Sequence, residues 1–186
     1  AAGSTADPAA SPVPVSAPAA PAASTQPMRQ RLAGLSPVET QVIPAGRQDG
    51  ARWGFGIGRF GSEGLPIVVQ GRSFPDGLAA HPPGDATPSR LVYDLAGGWT
   101  RLTGQAAIND TSDFVVQGRR GNHSPLNFVV RGDGRELWRS QPINTFDPPQ
   151  PFDVAVAGVR SLELRVEIDG VFHCCQAVWL DPELSR

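Results

Sequence analysis

Lysine is absent from this 186-residue sequence, so all sixteen cationic side chains are arginines. That excludes a Schiff-base lysine and a phosphate-binding lysine of the Walker type within the chain. No run of about 18 apolar residues occurs, so no helical membrane span is expected. Charge is sparse and balanced: 18% of residues are charged and the net charge is −2. A chain of that balance has no favourable field for a phosphate backbone, so nucleic acid is not expected as a partner. Tyrosine and methionine occur once each, and cysteine twice. What is plentiful is glycine (21) and proline (19), which weaken helices by wasting backbone entropy and removing a donor. The balance favours strands joined by turns.

Residues 1–27 are almost entirely Ala, Pro, Ser, Thr and Val, with Asp7 as the one charge and no aromatic group. Such a segment has nothing to bury and is expected to be a disordered, extended linker to an upstream domain of the same polypeptide. The chain opens Ala1-Ala2-Gly3 with no Met, basic stretch or apolar core, which reads as a processed chain or excised fragment. Residues 28–49 are expected to form a connecting segment with one short helical turn, cut off by Pro37 and Pro44. From residue 50 to 186 the pattern is one of short apolar runs separated by Gly, Pro, Asn and Asp. Leu162, Leu164, Val166 and Ile168 alternate with Glu163, Arg165, Glu167 and Asp169, which predicts a half-buried strand. Phe152, Val154 and Val156 predict another, expected to pair with it across Gly158. Leu126–Arg131, Gly132-Asp133-Gly134 and Glu136–Trp138 predict a hairpin whose turn needs a positive φ. Further strands are expected over Trp53–Ile57, Ile67–Gln70, Ser89–Leu95, Trp99–Ala107 and Ala177–Leu180. The expected fold class is all-β, a β-sandwich.

The order of several pieces is informative: Gly77-Leu78-Ala79-Ala80-His81, then Leu91-Val92-Tyr93-Asp94-Leu95, then Ala106-Ala107-Ile108-Asn109-Asp110. Phe128 to Trp138, Val154 to Leu164 and Ala177-Val178-Trp179-Leu180-Asp181 follow. In this order they resemble the NPCBM family of carbohydrate-binding modules, over roughly residues 50–184. The resemblance implies a jelly-roll, galactose-binding-like sandwich, without catalytic activity, that recognises galactose-like glycans as an accessory or targeting module of a larger extracellular, periplasmic or cell-surface protein. The alternative is a protein-interaction or spacer domain that has lost sugar binding. The family often closes on Asp-His-Ala-Asp-Trp, where this chain has Cys175-Gln176-Ala177-Val178-Trp179.

Sugars present C–H patches to aromatic planes and hydroxyls to polar forks. Trp53 or Phe55, set among glycines, is a candidate plane. His81, Arg119, Asn122 and His123 are candidates for the hydroxyls, and His81 also suits a structural role at a loop. The adjacent Cys174 and Cys175 read either as a vicinal disulfide, forming a flat platform, or as two thiols, one inward and one outward. Zinc is not expected there, because neighbouring residues point apart. Asn109, Asp110 and Asp113 are candidates for a structural calcium, such as galactose-binding-like sandwiches often carry, although an ion of that kind wants six to eight oxygens. Trp179 is expected in the core. The Gly56-Ile57-Gly58-Arg59-Phe60-Gly61 stretch fits a dinucleotide motif in letters, but no helix is expected after it, so it reads as a turn. No nucleophile elbow, zinc-protease helix or paired carboxylates suited to acid–base work are present.

Because residues 1–27 hold no core groups, the 28–186 segment is expected to fold without them, with stability changed by less than about 0.5 kcal/mol. Denaturation of the truncated and full chains, side by side, checks this.

Overall fold

The computed structural model describes residues 3, 27–43, 49–84, 86–112, 115–116, 119–120 and 123–186. The linker reading of residues 1–27 therefore lies almost wholly outside the described residues. In chain order the strands are β1 (Arg29–Arg31), β2 (Glu39–Gln41), β3 (Val68–Val69), β4 (Arg72–Ser73), β5 (Leu78–Ala79), β6 (Ser89–Asp94) and β7 (Arg101–Ile108). They continue with β8 (Val115–Val116), β9 (Arg119–Arg120), β10 (Leu126–Gly132), β11 (Arg135–Arg139), β12 (Gln150–Ala155), β13 (Ser161–Ile168) and β14 (Ala177–Ser185). One helical turn, α1, spans Gly50–Trp53.

Two antiparallel sheets form the sandwich expected from the sequence. The first runs β1-β14-β7-β12, with β5 also pairing to β14; the second runs β11-β10-β13-β6-β2. Residues 28–49, expected as a connection, supply an edge strand to each sheet, joined by the 3-10 turn Leu32–Gly34. Short edge strands expose little unpaired backbone, which limits sheet extension. β1 lies against the end of β14, with Arg29 opposite Ser185, and the Arg186 N–H donates to the Met28 carbonyl.

Two expectations are corrected. β12 and β13 do not pair: β12 pairs with β7, while β13 lies between β10 and β6 in the other sheet. Gly158, at φ 77, turns the chain from one sheet to the other rather than into a hairpin. The strand over Trp53–Ile57 is also not formed. Trp53 closes α1, and only Ile57 makes an isolated bridge, to Leu78. Glycine at every second position imitates a strand's alternation, but Gly58 and Gly61 have φ of 68 and 49, which bends the segment back on itself. The 132–135 hairpin forms as expected, and both Asp133 (φ 49) and Gly134 (φ 80) are left-handed, as a two-residue turn matched to strand twist requires.

The inward row Leu162, Leu164, Val166 and Ile168 is buried. Its outward partners join a line of alternating charge across the second sheet: Glu39–Arg90 2.8 Å, Arg90–Glu163 3.0 Å, Glu163–Arg165 3.4 Å, Arg165–Glu167 2.9 Å, Glu167–Arg139 2.7 Å and Arg139–Glu136 2.8 Å. Burial pushes the Glu167 carboxyl up, but Arg139 and Arg165 outweigh it and hold it below the usual range. Each such exposed pair contributes little, so the line shapes the face more than it stabilises it.

Between the sheets, aromatic rings connect four strands. Trp138 on β11 meets Phe152 on β12 at 5.4 Å, Phe152 meets Trp179 on β14 at 5.5 Å, and Trp179 meets Phe128 on β10 at 5.1 Å. Phe152 faces Gly104 on β7, where a Cβ would lie 2.5 Å from its ring. A second, smaller core of Phe60, Ile67, Val69 and Phe74 covers Ala79, Ala107, Val178 and Leu180 on the outer side of the first sheet. No helix among the described residues is long and apolar enough to cross a membrane.

Trp179 is fully buried, as expected, and touches aromatic groups from both sheets. Trp179→Ala is expected to cost about 3–5 kcal/mol, read as a lower urea midpoint.

Candidate functional site

At the start of β14 the chain passes through the tight segment Phe172–Gln176, where Cys174 has a left-handed φ of 64. This segment, α1 and the turn after β5 enclose a cavity of about 360 Å³, lined by Ile43, Asp49, Trp53, His81, Phe172, His173, Cys174 and Gln176. Trp53 is half-buried, packed edge-on to Phe60 at 6.2 Å, and presents an indole to the cavity. Phe172 stacks on the His173 ring at 4.8 Å and meets His81 edge-on at 6.1 Å.

His81 is 5% exposed, and its Nδ1 lies 2.8 Å from the Pro82 carbonyl oxygen. A carbonyl can only accept, so Nδ1 carries the proton and Nε2 of the neutral ring is an acceptor. Burial is the largest influence on the ring and, with the nearby His123 and His173, outweighs Pro82 and Asp49, lowering its pKa to about 4. His81 is therefore neutral at pH 7. The structural and site readings of this residue coincide: one nitrogen holds the loop while the ring forms part of the wall.

Gln176 is spent on structure. Its amide donates to the Thr111 carbonyl, its carbonyl accepts from the Thr111 hydroxyl, and its N–H donates to Ser112 Oγ. Cys175 is buried, donates its thiol to the Phe172 carbonyl, and sets Sγ 4.0 Å from both ring nitrogens of His81. Cys174 is half-buried on the cavity side, with its thiol pushed up by burial. No disulfide joins the two, so of the two readings the structure has the inward and outward thiols, not the platform.

The cavity brings together Trp53, His81 and Cys174 from the residues singled out by sequence, with Cys175 behind them. Phe55 lies instead on a neighbouring groove that shares Ile43. His123 is outside the lining: its Nδ1 donates to the Ser124 carbonyl at 2.8 Å, and its Nε2 accepts from the Thr145 hydroxyl at 2.7 Å. Arg119 sits on β9 opposite Val116, and Asn122 lies outside the described residues. Sequence reasoning missed Asp49, Phe172 and His173. The signal available was the aromatic-His pair on a turn immediately before a core strand.

Two of the calcium candidates, Asn109 and Asp110, accept hydrogen bonds from backbone N–H groups. Asn109 Oδ1 accepts from the Val68 N–H at 2.7 Å, and the Asp110 carboxylate accepts from the Gln70 and Gly71 N–H groups at 2.8 and 2.9 Å. They fasten the β3–β4 hairpin to the end of β7. Asp113 lies outside the described residues, and among those described no group of three or more His, Cys, Asp or Glu is placed to hold a metal ion.

A two-sheet sandwich with a loop-walled cavity at one end defines a β-sandwich module. The sequence matches the NPCBM/NEW2 domain model over residues 22–185, and the chain belongs to that family. No curated protein matches the sequence. Among solved structures it is similar to the CBM51-2 and INT domains of Clostridium perfringens ZmpB in complex with GlcNAc (TM-score 0.65, 16% identity, 86% of this chain and 32% of that one). It is also similar to the tandem CBM51 modules of a Streptococcus pneumoniae family 98 glycoside hydrolase (TM-score 0.65, 16% identity, 84% and 46%). A third is the CBM51 of a Clostridium perfringens GH95 protein in complex with methyl-galactose (TM-score 0.57, 16% identity, 84% and 99%). At this identity the likeness establishes the fold. The chain spans about a third of the first structure's length and under half of the second's.

The His81 pKa sets a pH dependence. Unfolded, the ring protonates near 6.5; folded, near 4. Between those values the unfolded state binds the extra proton, so stability is complete above pH 6.5 and falls as pH drops toward 4, by on the order of 3 kcal/mol. Denaturation midpoints across pH 4–7 are expected to show this loss, and His81→Gln is expected to flatten it.

Proposed function

We propose that the domain is a non-catalytic carbohydrate-binding module that takes one neutral, galactose-like sugar ring in the cavity between Trp53 and His81. The supporting observation is the composition of that cavity: its lining includes an indole and a phenyl ring, together with the imidazole of His81 and the carboxylate of Asp49 as acceptors for hydroxyl donors. Its volume of about 360 Å³ is near the lower end of the range of roughly 300–1,000 Å³ for small-molecule sites. Among the described lining residues Asp49 is the only carboxylate, which argues against glycoside hydrolysis by a carboxyl pair. The complexes of related CBM51 modules with GlcNAc and methyl-galactose support the same ligand class. In this reading the module serves a larger exported or surface protein, and Arg119, Asn122 and His123 are further candidates for polar contacts with the sugar.

Calorimetry on the full chain with galactose, methyl-galactose and GlcNAc is expected to give a Kd of roughly 10 µM to 1 mM for a preferred sugar, without turnover. Asp49→Asn is expected to weaken binding about tenfold or more with an unchanged melting temperature, while Trp53→Ala, which also removes the contact with Phe60, is expected to weaken binding by at least as much and to lower the melting temperature. Arg119→Ala and Asn122→Ala extend the test to the remaining sequence candidates. Absence of binding to any of the sugars would favour the protein-interaction or spacer reading.

A further inference from the structure

The depression at this end of the sandwich does not stop at α1. Asp49 and Trp53, four residues apart and so on one face of that turn, line the cavity, whereas the next residues, Gly50 and Gly54, line the groove that Phe55 also lines. Ile43 belongs to both linings. Beyond β5, His81 lines the cavity and Pro83, two residues on, lines the groove. The chain thus passes from one depression to the other at three places, and the ridge between them is a single helical turn. That ridge is low and firmly seated. Gly50 and Gly54 have no side chains, and a Cβ at Gly54 would lie 2.4 Å from the Gly50 carbonyl oxygen and 3.1 Å from that of Ile43. The Gly54 N–H donates to the Gly50 carbonyl at 2.9 Å, and the Gly61 N–H donates to the Gly54 carbonyl at 2.8 Å.

The groove is larger than the cavity, about 790 Å³ against about 360 Å³, and offers similar chemistry. Phe55, half-buried and packed against the main core, contributes an aromatic residue to its lining. Thr40 and Gln41 on β2 and Ser62 beyond the glycine turn contribute two hydroxyls and an amide. None of these three side chains makes a hydrogen bond among the described residues, so their donors and acceptors remain available. The described lining carries no charged side chain, which suits uncharged hydroxyls and leaves a sulfate or carboxylate without a partner.

We infer that cavity and groove form one extended site across α1, in which the groove takes the sugar unit next to the ring held in the cavity, so that the preferred ligand is a neutral oligosaccharide of at least two units. This rests on the cavity taking the first ring. The shared walls are held by backbone hydrogen bonds before a ligand arrives, so a second unit gains contacts at little cost in ordering.

The test is calorimetry on the full chain with galactose, GlcNAc, lactose, N-acetyllactosamine and a galactose disaccharide. The wild-type chain is expected to bind one of the disaccharides at least tenfold more tightly than its best monosaccharide. Thr40→Ala, Gln41→Ala and Ser62→Ala, combined in one chain, are expected to remove that gain, to leave the monosaccharide Kd within about twofold and to leave the melting temperature nearly unchanged. Asp49→Asn, on the cavity side, is expected to weaken monosaccharide and disaccharide alike; a loss confined to the monosaccharide means that the two depressions bind separately and overturns the single site. Disaccharides bound no more tightly than the monosaccharide, or a gain that survives the triple substitution, overturn the groove subsite and leave the cavity reading standing. Failure of every saccharide to bind the wild-type chain overturns both.

Discussion

At Gly104 a missing side chain lets the ring of Phe152 lie directly over β7, and the indole of Trp179 packs against that ring from the next strand. Any Cβ at 104 would displace Phe152, and through it Trp179, Phe128 and Trp138. Close packing makes the interior intolerant of such a shift. The separation of the two sheets is therefore set by a column of four rings resting on one glycine, and β14, which carries Trp179, is fixed by it.

The cavity depends on β14. Phe172–Gln176 enter that strand through a left-handed Cys174, and β5, whose end leads to His81, pairs with β14 at Trp179 and Val178. Two walls are thus referred to the same strand. Gln176 and Asn109 brace the adjoining loops through side-chain hydrogen bonds. The low basicity of His81 follows from the same burial that holds it in place.

Much of this was legible in the sequence where one face of a strand is buried and the other wet. Leu162–Ile168, the Asp133–Gly134 turn and Trp179 all read correctly, because period-two alternation and turn chemistry are local properties. Pairing was not local: Phe152–Val156 and Leu162–Ile168 are separated by a short turn, yet join different sheets, and nothing in either strand's alternation distinguishes a hairpin from a crossover. Trp53–Ile57 misled because glycine supplies the small member of an alternation and the freedom to destroy it. Of the candidate site, Trp53, His81 and Cys174 were found through their residue types. Asp49, Phe172 and His173 were missed because their association is created by the fold and not by spacing.

The antiparallel pairing of β1 with the end of β14 also gives the molecule a polarity. Met28 and Arg186 meet through a backbone hydrogen bond at one end of β14, while Phe172–Gln176 wall the cavity at its other end. The nine residues between them, at about 3.3 Å each, place the two ends on the order of 30 Å apart. Chain entering at Met28 or leaving at Arg186 therefore departs from the pole opposite the opening. The mouth would then point outward from its attachment, reaching a surface ahead of the body that carries it.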